Sequence, residues 1–349
     1  MTQNKTQIKL HPDANVLIVS DIHLRLPITS ELQLIQKSLV ARIKQLATHK
    51  QALLILNGDI FELWEQSNQT VSDIATAFSD LTRAIANFTG NGHQVIYIVG
   101  NHDEDAMKGQ SSRSVLKKLW HAKSVVNLEL VMKNKTVLIE HGHEHDSYNK
   151  SGNNGATHGK TLVKSTLPKL VKSMPTLFMG INDVINRAYL PSYVLSRLVY
   201  GIMLPIVFPL TLVFCVYFYL VGRDPRFAMA FAIVWGATWL LILLIDNIVR
   251  LVAKHTLGVG SEYIKDLDRY QAKLGFNALI LGHTHQGGVW KRPNYTYANS
   301  GCNDTVAIPR LGWLGLHKFD RYVQMSDITI DPNKKQPFIY REQLVPLVK

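Results

Sequence analysis

Five short apolar runs in this sequence each end on residues that bind metals or transfer protons. The runs ANVLIVS, LLILN, QVIYIVG, TVLIE and ALILG lead, in that order, into Asp21-Ile22-His23, Gly58-Asp59, Asn101-His102-Asp103, His141-Gly142-His143 and His283-Thr284-His285. Runs rich in Val, Ile and Leu are typical of strands covered on both faces. Polar side chains at the carboxyl ends of parallel strands lie at the edge where α/β proteins bind ligands. The pattern therefore predicts one assembled metal site.

The chemistry that such a set supports is hydrolysis of a phosphate ester at a pair of metal ions. Two cations held about 3.5–4 Å apart can stabilise both the attacking and the leaving oxygen of an in-line displacement. Such a site needs a carboxylate shared between the ions, further N and O ligands, and open positions for water and phosphoryl oxygens. Imidazole combined with carboxylate favours Mn, Fe, Zn or Co over Ca or Mg. We therefore expect two divalent metal ions, with Mn first among them.

The motifs D-x-H, G-D-x-x-E, G-N-H-D, H-G-H and G-H-x-H resemble, in type and order, those of the calcineurin-like metallophosphoesterase family. The resemblance covers the chain except an insert at about 151–254. It implies an α/β fold, a four-layer α/β/β/α sandwich with two central sheets and flanking helices. It also implies a metal-dependent hydrolase of phosphoric ester or diphosphate bonds.

The resemblance further implies which side chains bind the metal ions. The seven expected ligands carry oxygen or imidazole donors and form two sets around a bridge: Asp21, His23 and His285 for one ion, Asn101, His141 and His283 for the other, and Asp59 between them. Gly58 would let the backbone turn tightly, so that the bridging carboxylate can face both ions.

Five more polar residues near these motifs have different expected roles. His102 would be the catalytic histidine, which stabilises the phosphoryl oxygens or protonates the leaving group. Glu62 falls where an acid of the family often orients that histidine, and a solvated carboxylate at a helix start is the alternative. Asp103 stays open in the same way. The family does not need His143 or His145 as ligands, so a surface or pocket position is expected for both.

Two long uncharged segments interrupt the α/β pattern. One has 25 residues, from 198 to 222, and the other has 19, from 227 to 245. About 20 apolar residues at 1.5 Å each cross the core of a bilayer. The sequence GRDPRF makes a tight turn between them, so we predict a transmembrane hairpin with helices at about 199–222 and 227–249, the first bent near its start by Pro205 and Pro209. The alternative, two buried core helices, is disfavoured because both segments are hydrophobic all round.

The hairpin divides the chain into three predicted parts. A metallophosphoesterase domain is formed by 1–150 and 255–349, and 151–254 is a helical insert. Expected ligands occur on both sides of the insert, so an even number of crossings is required to bring them together. Basic residues flank the two spans, and the N-terminus lacks the apolar core of a signal peptide. We therefore expect a multi-pass protein of the inner (cell) membrane with its catalytic domain on the cytoplasmic side.

Two other parts of the chain carry simpler patterns. A Gly/Asn/Ser-rich loop is expected at 151–160, and the basic, apolar segment that follows it, to about 199, is either an interfacial amphipathic segment or a solvated surface helix. Apolar stripes predict one amphipathic helix in 30–50 and one in 71–88, with core positions Leu32, Ile35, Leu39, Ile43 and Leu46 in the first and Val71, Ile74, Phe78, Leu81, Ile85 and Phe88 in the second.

The charge and cysteine content limit the partners. The net charge is +12, and the estimated pI is about 9.5. A basic balance suits nucleic acid, anionic lipid or phosphorylated substrates. No basic stripe interleaved with aromatic residues occurs outside the membrane-flanking region, so we expect anionic phospholipid rather than nucleic acid. The two cysteines predict neither a disulfide framework nor a zinc site, and the oligomeric state stays open.

Two segments indicate the substrate. GDIFELW and YANSGCN resemble segments of the membrane-associated UDP-2,3-diacylglucosamine diphosphatases of lipid A biosynthesis, whose helical cap occupies the position of the hairpin. His102 is a departure, because the best-known of those enzymes have Arg there. We expect a lipid or nucleotide-lipid phosphate as substrate. The alternatives are a membrane-tethered phosphodiesterase or phosphatase acting on a soluble nucleotide or phosphoprotein, and a non-catalytic scaffold of the same fold.

Overall fold

The computed structural model describes residues 6–64, 69–103, 116–133, 135–146, 161, 169, 172, 190–220, 225–256, 261–312 and 314–347. The chain forms two compact units. The first contains Met1–Thr166, Tyr263–Thr305 and Tyr322–Lys349, and the second contains Leu167–Glu262 and Val306–Arg321. The predicted loop at 151–160 and most of the basic segment that follows it lie outside the described residues.

The strands form two mixed sheets. In chain order they are β1 (Thr6–Lys9), β2 (Ala14–Val19), β3 (Gln51–Asn57), β4 (Gln94–Ile98), β5 (Lys123–Val125), β6 (Asn127–Met132), β7 (Lys135–Glu140), β8 (Ala278–Leu281), β9 (Gly288–Lys291), β10 (Thr296–Asn299), β11 (Asn303–Leu311), β12 (His317–Ile330) and β13 (Phe338–Pro346). One sheet has the order β1-β6-β7-β8-β10-β9 and the other β11-β12-β2-β3-β4-β5, with β13 paired to β12. The five predicted strands are confirmed as β2, β3, β4, β7 and β8.

Two hydrophobic cores explain why these strands are apolar on both faces. Alternate residues of β2, β3 and β4, such as Val16, Ile55 and Ile96, share one core with β6, β7, β8 and β10 of the other sheet. The intervening residues, such as Leu17 and Leu54, share a second core with the helices that cover the outer face of their sheet. A strand buried on both faces has no polar side, so its sequence reads as a continuous apolar run.

Three helices cover the outer face of the second sheet: α1 (Ser30–Leu46), α2 (Val71–Ala77) and α3 (Ser79–Gly90). The stripe predicted for α1 is buried, and Thr29 caps the helix by accepting a hydrogen bond from the backbone N–H of Leu32. The prediction of one helix in 71–88 was wrong. The helix is interrupted at Phe78, whose ψ of 50° is not helical, although all six predicted core residues are buried. A helical spacing of apolar residues survives the interruption because α2 and α3 cover the same core.

The second unit is built around apolar helices. They are α4 (Leu190–Leu198), a π-helical turn (Val199–Met203), α5 (Leu204–Leu220) and α6 (Pro225–Thr256), and a further helix, α7 (Ser261–Leu274), leads back into the first unit. Ser192–Tyr219 and Ala228–Val252 are long and apolar enough to cross a membrane, judged by length and composition. Of the predicted turn between them, 222–224 lie outside the described residues, and Pro225, Arg226 and Phe227 already belong to α6.

Candidate metal centre

The predicted ligands follow strands of both sheets. Asp21, Asp59 and Asn101 come after β2, β3 and β4, which are parallel neighbours in one sheet. His141 and His283 come after β7 and β8, which are parallel neighbours in the other. All seven predicted ligands therefore belong to the first unit, and the carboxyl ends of two sheets, rather than of one, supply them.

The backbone at this edge is strained at most of the ligand positions. A left-handed backbone, with φ between 50° and 64°, occurs at five of the predicted ligands: Asp21, His23, Asp59, His283 and His285. Residues with a Cβ rarely adopt this conformation, and each such residue costs on the order of 1–3 kcal/mol. Strain of this kind persists only where the surrounding contacts determine the conformation, and it clusters at functional sites.

Three groups of side chains bring metal-binding atoms within 4.8 Å of one another. They are Asp21 with His23 and His285, His23 with Asp59 and His102, and Asp59 with His141 and His283. The middle group shares His23 with the first and Asp59 with the third. The three groups therefore form one continuous cluster, in which His23 and Asp59 each belong to two groups. The bridging role of Asp59 stays a prediction.

The surroundings of His141 fit a metal ion. Its Nδ1–H donates a hydrogen bond to the carbonyl oxygen of Asn57 at 2.9 Å. The opposite ring nitrogen, Nε2, lies 3.2 Å from Asp59 Oδ2 and 3.2 Å from Asn101 Oδ1. A neutral imidazole with its proton on Nδ1 has a lone pair on Nε2, so three lone-pair atoms converge there. A divalent cation satisfies such a set, and a backbone carbonyl that fixes the tautomer is typical of a histidine ligand.

Asp21 connects the two histidines of the G-H-x-H motif. His285 Nε2 lies 3.0 Å from Asp21 Oδ1, and the backbone N–H of His283 donates to the same carboxylate at 3.1–3.2 Å. The carboxylate is fully buried. His285 Nδ1 is also buried and finds no hydrogen-bond partner among the described residues. A buried carboxylate beside a half-buried imidazole is a donor set that suits Mn, Fe, Zn or Co.

Glu62 lies beneath two histidines of the site. One of its oxygens, Oε2, lies 2.6 Å from His102 Nδ1 and 3.2 Å from His23 Nδ1, and the other accepts a hydrogen bond from the backbone N–H of Trp64 at 2.7 Å. The indole of Trp64 stacks on the His102 ring, with centroids 4.1 Å apart. Glu62 is only 3% exposed, so the alternative of a solvated carboxylate is wrong. Its contacts fix the orientation of both imidazoles, and its catalytic role stays a prediction.

Asp103 connects two loops of the site through hydrogen bonds. One of its oxygens accepts hydrogen bonds from the Tyr97 hydroxyl and from the backbone N–H of Ile60, and the other accepts from the backbone N–H of Gly100. These contacts tie the loop after β3 to the loop after β4. Burial and the nearby charge of Asp59 raise the pKa of Asp103 to about 6. Its hydrogen bonds hold the loops that carry Asp59 and His102.

Glycine is required at several points because ligand side chains pass close to the backbone. A Cβ on Gly58, whose φ is +80°, would overlap the imidazole of His141. A Cβ on Gly100 would overlap both the backbone and the carboxylate of Asp59. The glycine of G-D-x-x-E therefore does more than permit a tight turn: it leaves room for a histidine from the other sheet.

The site also contains an acid that the sequence analysis missed. Asp146 Oδ2 lies 2.9 Å from His283 Nε2, although the two residues are far apart in the sequence. His143 is buried near His141 and His283, as a pocket position requires. His145 lies 2.6 Å from Glu140 and contacts the Tyr270 ring. No spacing rule links Asp146 to a G-H-x-H motif, so the sequence carried no signal for this contact.

Electrostatic coupling dominates the ionisation of the cluster. Burial opposes ionisation of Asp59, but the imidazoles of His141 and His102 outweigh it and hold the pKa of this carboxyl well below its usual range. Burial likewise opposes protonation of His141, yet Asp59 raises its pKa to about 9. Burial and the neighbouring imidazoles lower the pKa of His143 to about 3, so this residue is neutral. The site is therefore a compact set of anionic oxygens and imidazoles that cation binding would deprotonate.

Comparison with known proteins identifies the family that carries such a site. Residues 14–193, more than half of the chain, match the family model described as calcineurin-like phosphoesterase. No curated protein matches the chain.

Several solved structures match this chain at low identity and low TM-score. A novel archaeal phosphodiesterase has 11% identity and a TM-score of 0.33 over 95% of this chain and 99% of its own. A dimetal phosphatase from Danio rerio has 8% identity and a TM-score of 0.35 over 96% and 99%. Phosphopantetheinyl hydrolase from Mycobacterium tuberculosis has 11% identity and a TM-score of 0.34 over 84% and 91%. Scores of this size carry no inference about function.

Proposed function

The chain belongs to the calcineurin-like phosphoesterase family, whose members are hydrolases of phosphate esters, and on that premise we propose that it is a membrane-anchored phosphoesterase with a dinuclear metal centre. Its substrate is a phosphate ester or pyrophosphate carried by a lipid, of which UDP-2,3-diacylglucosamine is the first to test. The soluble domain, formed by 1–150 and 255–349, is the family's four-layer sandwich, interrupted by a transmembrane hairpin. It faces the cytoplasm and does not act on nucleic acid.

The observation that carries the proposal is the continuous chain of metal-binding groups. The groups around Asp21 and around Asp59 each hold enough donors for one ion, and His23 and Asp59 connect them through a third group. In the proposed assignment Asp21, His23 and His285 would hold one ion, Asn101, His141 and His283 would hold the other, and Asp59 would serve both. A pair of divalent cations, when bound, supplies Lewis-acid activation of the phosphoryl group and of water. A non-catalytic scaffold would not need this set.

The residues around the ions supply proton transfer and orientation. The proposed metal ligand His23 directs its Nδ1–H to Glu62, which fixes the ring and leaves Nε2 for the ion. His102 directs its Nδ1–H to the same carboxylate. Its Nε2 is then the atom that can donate a hydrogen bond to a phosphoryl oxygen or a proton to the leaving group. Stacking on Trp64 keeps that ring in place while the substrate binds and leaves.

Two features support a substrate that resides in a membrane. Two helices of the second unit are long and apolar enough to cross a bilayer, and their large apolar side chains, such as Leu210, Val234 and Leu240, are exposed. In the sequence these helices lie between the H-G-H and G-H-x-H motifs, which is where the diphosphatases that this chain resembles carry a lipid-binding cap. An anchor inserted there would keep the catalytic domain at the membrane surface, where a lipid-borne phosphate is found.

The deciding experiment is a Mn²⁺-supplemented assay of the detergent-solubilised protein on UDP-2,3-diacylglucosamine, with UMP release as the readout. Asp59→Asn, which keeps the side-chain shape but removes the negative charge, is the matched control. We expect metal-dependent release that is lost in this variant. Activity on an aryl phosphodiester without UMP release would retain the phosphoesterase and reject the substrate. A folded Asp59→Asn protein with wild-type turnover would reject the bridging role.

A further inference from the structure

The second unit contains a β-hairpin that the proposed function does not use. Strands β11 and β12 are neighbours in their sheet, and both continue from the first unit into the second. We call the described residues of Val306–Arg321 the hairpin tip. The tip is short, and its turn is closed by hydrogen bonds from the backbone N–H of Gly312 to the carbonyl oxygen of Leu316 at 2.7 Å and from that of Gly315 to Gly312 at 3.0 Å.

The hairpin tip packs on the beginning of the first apolar helical segment. The hydroxyl of Tyr200 donates a hydrogen bond to the carbonyl oxygen of Leu316 at 3.3 Å, and a Cβ on Gly312 would overlap that hydroxyl. Phe319 contacts the ring of Tyr193, with centroids 5.2 Å apart. Tyr193 and Tyr200 both lie near the start of the candidate span Ser192–Tyr219.

The hairpin tip also contacts the end of the second apolar helix. Asp246 in α6 is only 1% exposed and lies 3.1 Å from His317 Nδ1. One turn earlier, Leu243 Cδ2 lies 3.1 Å from the place where a Cβ on Gly315 would be. Both α6 residues lie near the end of the candidate span Ala228–Val252. A carboxylate within an apolar helix is costly unless it has a partner, and here a residue of the tip is that partner.

These contacts place the hairpin tip at one end of the pair of apolar helices. Phe214 of α5 stacks on Phe231 of α6 at 4.4 Å, so the end of the first span lies beside the start of the second, as in an antiparallel hairpin. The start of the first span and the end of the second then lie together at the other end of the helical pair. Since the tip contacts both of these ends, it lies where the helices would leave the bilayer core.

The exposed side chains of the hairpin tip suit a position at the membrane interface. Leu311 is 73% exposed, and Ile308 is also exposed. The tip also carries the cations Arg310, Lys318 and Arg321, against a single carboxylate, Asp320, which lies 3.1 Å from Arg310. Apolar side chains that enter the acyl region, surrounded by cations that meet phosphate headgroups, are typical of segments that lie in a membrane interface.

We propose that the hairpin tip is an interfacial membrane element that binds the anionic headgroups beside the two spans, so that the protein contacts the bilayer through a β-hairpin as well as through helices. The inference rests on the proposed function only in requiring that α5 and α6 cross the membrane. It adds a surface with a stated partner, anionic phospholipid, to a part of the sheet that the metal centre does not use.

Site-specific fluorescence can test the position of the hairpin tip. One accessible cysteine is introduced at a time, as Leu311→Cys, Leu240→Cys or Gln343→Cys, in a Cys215→Ser background in which the remaining Cys302 is buried. Each variant is labelled with an environment-sensitive dye and reconstituted into phosphatidylcholine–phosphatidylglycerol vesicles that contain nitroxide lipids. Position 240 reports the span, and position 343, exposed in β13 of the first unit, reports the water-exposed part. We expect loss of most of the emission at 240 and 311, but not at 343.

The outcomes separate this inference from the proposed function. Quenching at 240 with none at 311 would overturn the interfacial role of the tip and leave the anchor intact. No quenching at 240 would overturn both. Protection of 311 from an aqueous quencher, without quenching by lipid, would mean that a protein covers the tip and would also overturn the inference.

The role of charge has a matched control. Arg310→Glu combined with Lys318→Glu should reduce lipid quenching at 311 in anionic vesicles and leave quenching at 240 unchanged. Lys265→Glu combined with Lys273→Glu, two exposed positions on α7, makes the same change in net charge on a different element and should change neither. Equal effects of the two pairs would show that net charge, rather than the tip, determines contact with the headgroups.

Discussion

Replacing Gly58 by alanine should disrupt the metal centre through a single methyl group. The residue has a φ of +80°, where a Cβ costs about 1–2 kcal/mol. The added Cβ would also overlap the His141 ring, which must then move away from its hydrogen bond to Asn57. Leaving that buried carbonyl without its donor costs a further 1–3 kcal/mol, roughly. We therefore expect a loss of about 2–5 kcal/mol in the free energy of unfolding.

Gly92 is the matched control for this prediction. Its φ is +86°, close to that of Gly58, but a Cβ there would meet no atom within 4 Å. Gly92→Ala should therefore show the backbone cost alone, about 1–2 kcal/mol. At roughly 2–4 °C per kcal/mol for a domain of this size, the melting temperatures of the two variants should differ by several degrees.

Thermal unfolding of the detergent-solubilised proteins, with metal content measured by mass spectrometry, would test the reasoning. We expect Gly58→Ala to lose at least the ion that His141 would hold, whereas Gly92→Ala keeps both. If Gly58→Ala has the same melting temperature as Gly92→Ala and retains its metal, then close packing between the two sheets does not position His141, and the geometric account of the site is wrong.

Four further results are expected. His102→Ala should keep its metal content while kcat falls about 10²–10⁴-fold, because the ring is expected to transfer protons and not to hold an ion. Loss of both ions in this variant would show that His102 is a metal ligand. Glu62→Gln should cost less, about 10–100-fold in kcat, since an amide oxygen can still accept from one of the two imidazoles; a wild-type rate would remove Glu62 from the mechanism. In metal-free protein, Asp59 raises the pKa of His141 from 6.5 to about 9, so up to about 3 kcal/mol of stability is fully present below pH 6.5 and is lost as the pH rises through 9. Melting temperatures measured with and without metal should diverge as the pH rises through that range, because deprotonated imidazoles bind cations better. His141→Gln should flatten the pH dependence of the metal-free melting temperature. The same pH dependence in this variant and in the wild type would contradict the coupling. Finally, the protein should stay with membranes in high salt and in alkaline carbonate, and release by either treatment would show that α5 and α6 do not span.

Much of the fold could be read from local pattern. Strands β2, β3, β4, β7 and β8 are covered on both faces, and that burial makes them apolar without interruption, so each was recognisable in isolation. The stripe on α1 has the same cause. The break at Phe78 was not recognisable, because α2 and α3 pack on one core and therefore preserve helical spacing across it. Short edge strands such as β1 and β9 have half-exposed or exposed residues and no distinctive run.

By itself, the sequence determined which residues could bind a metal, because donor types and their position after strands are local properties. Only the tertiary structure decided what they meet. It brought Asp146 to His283 across 137 positions, gave one carboxylate, Glu62, to two histidines, and joined Asp246 of an apolar helix to His317 of a β-hairpin. The physical reason is that hydrogen bonds and ion pairs between distant segments depend on sheet register and on packing, and neither leaves a periodic trace in the chain.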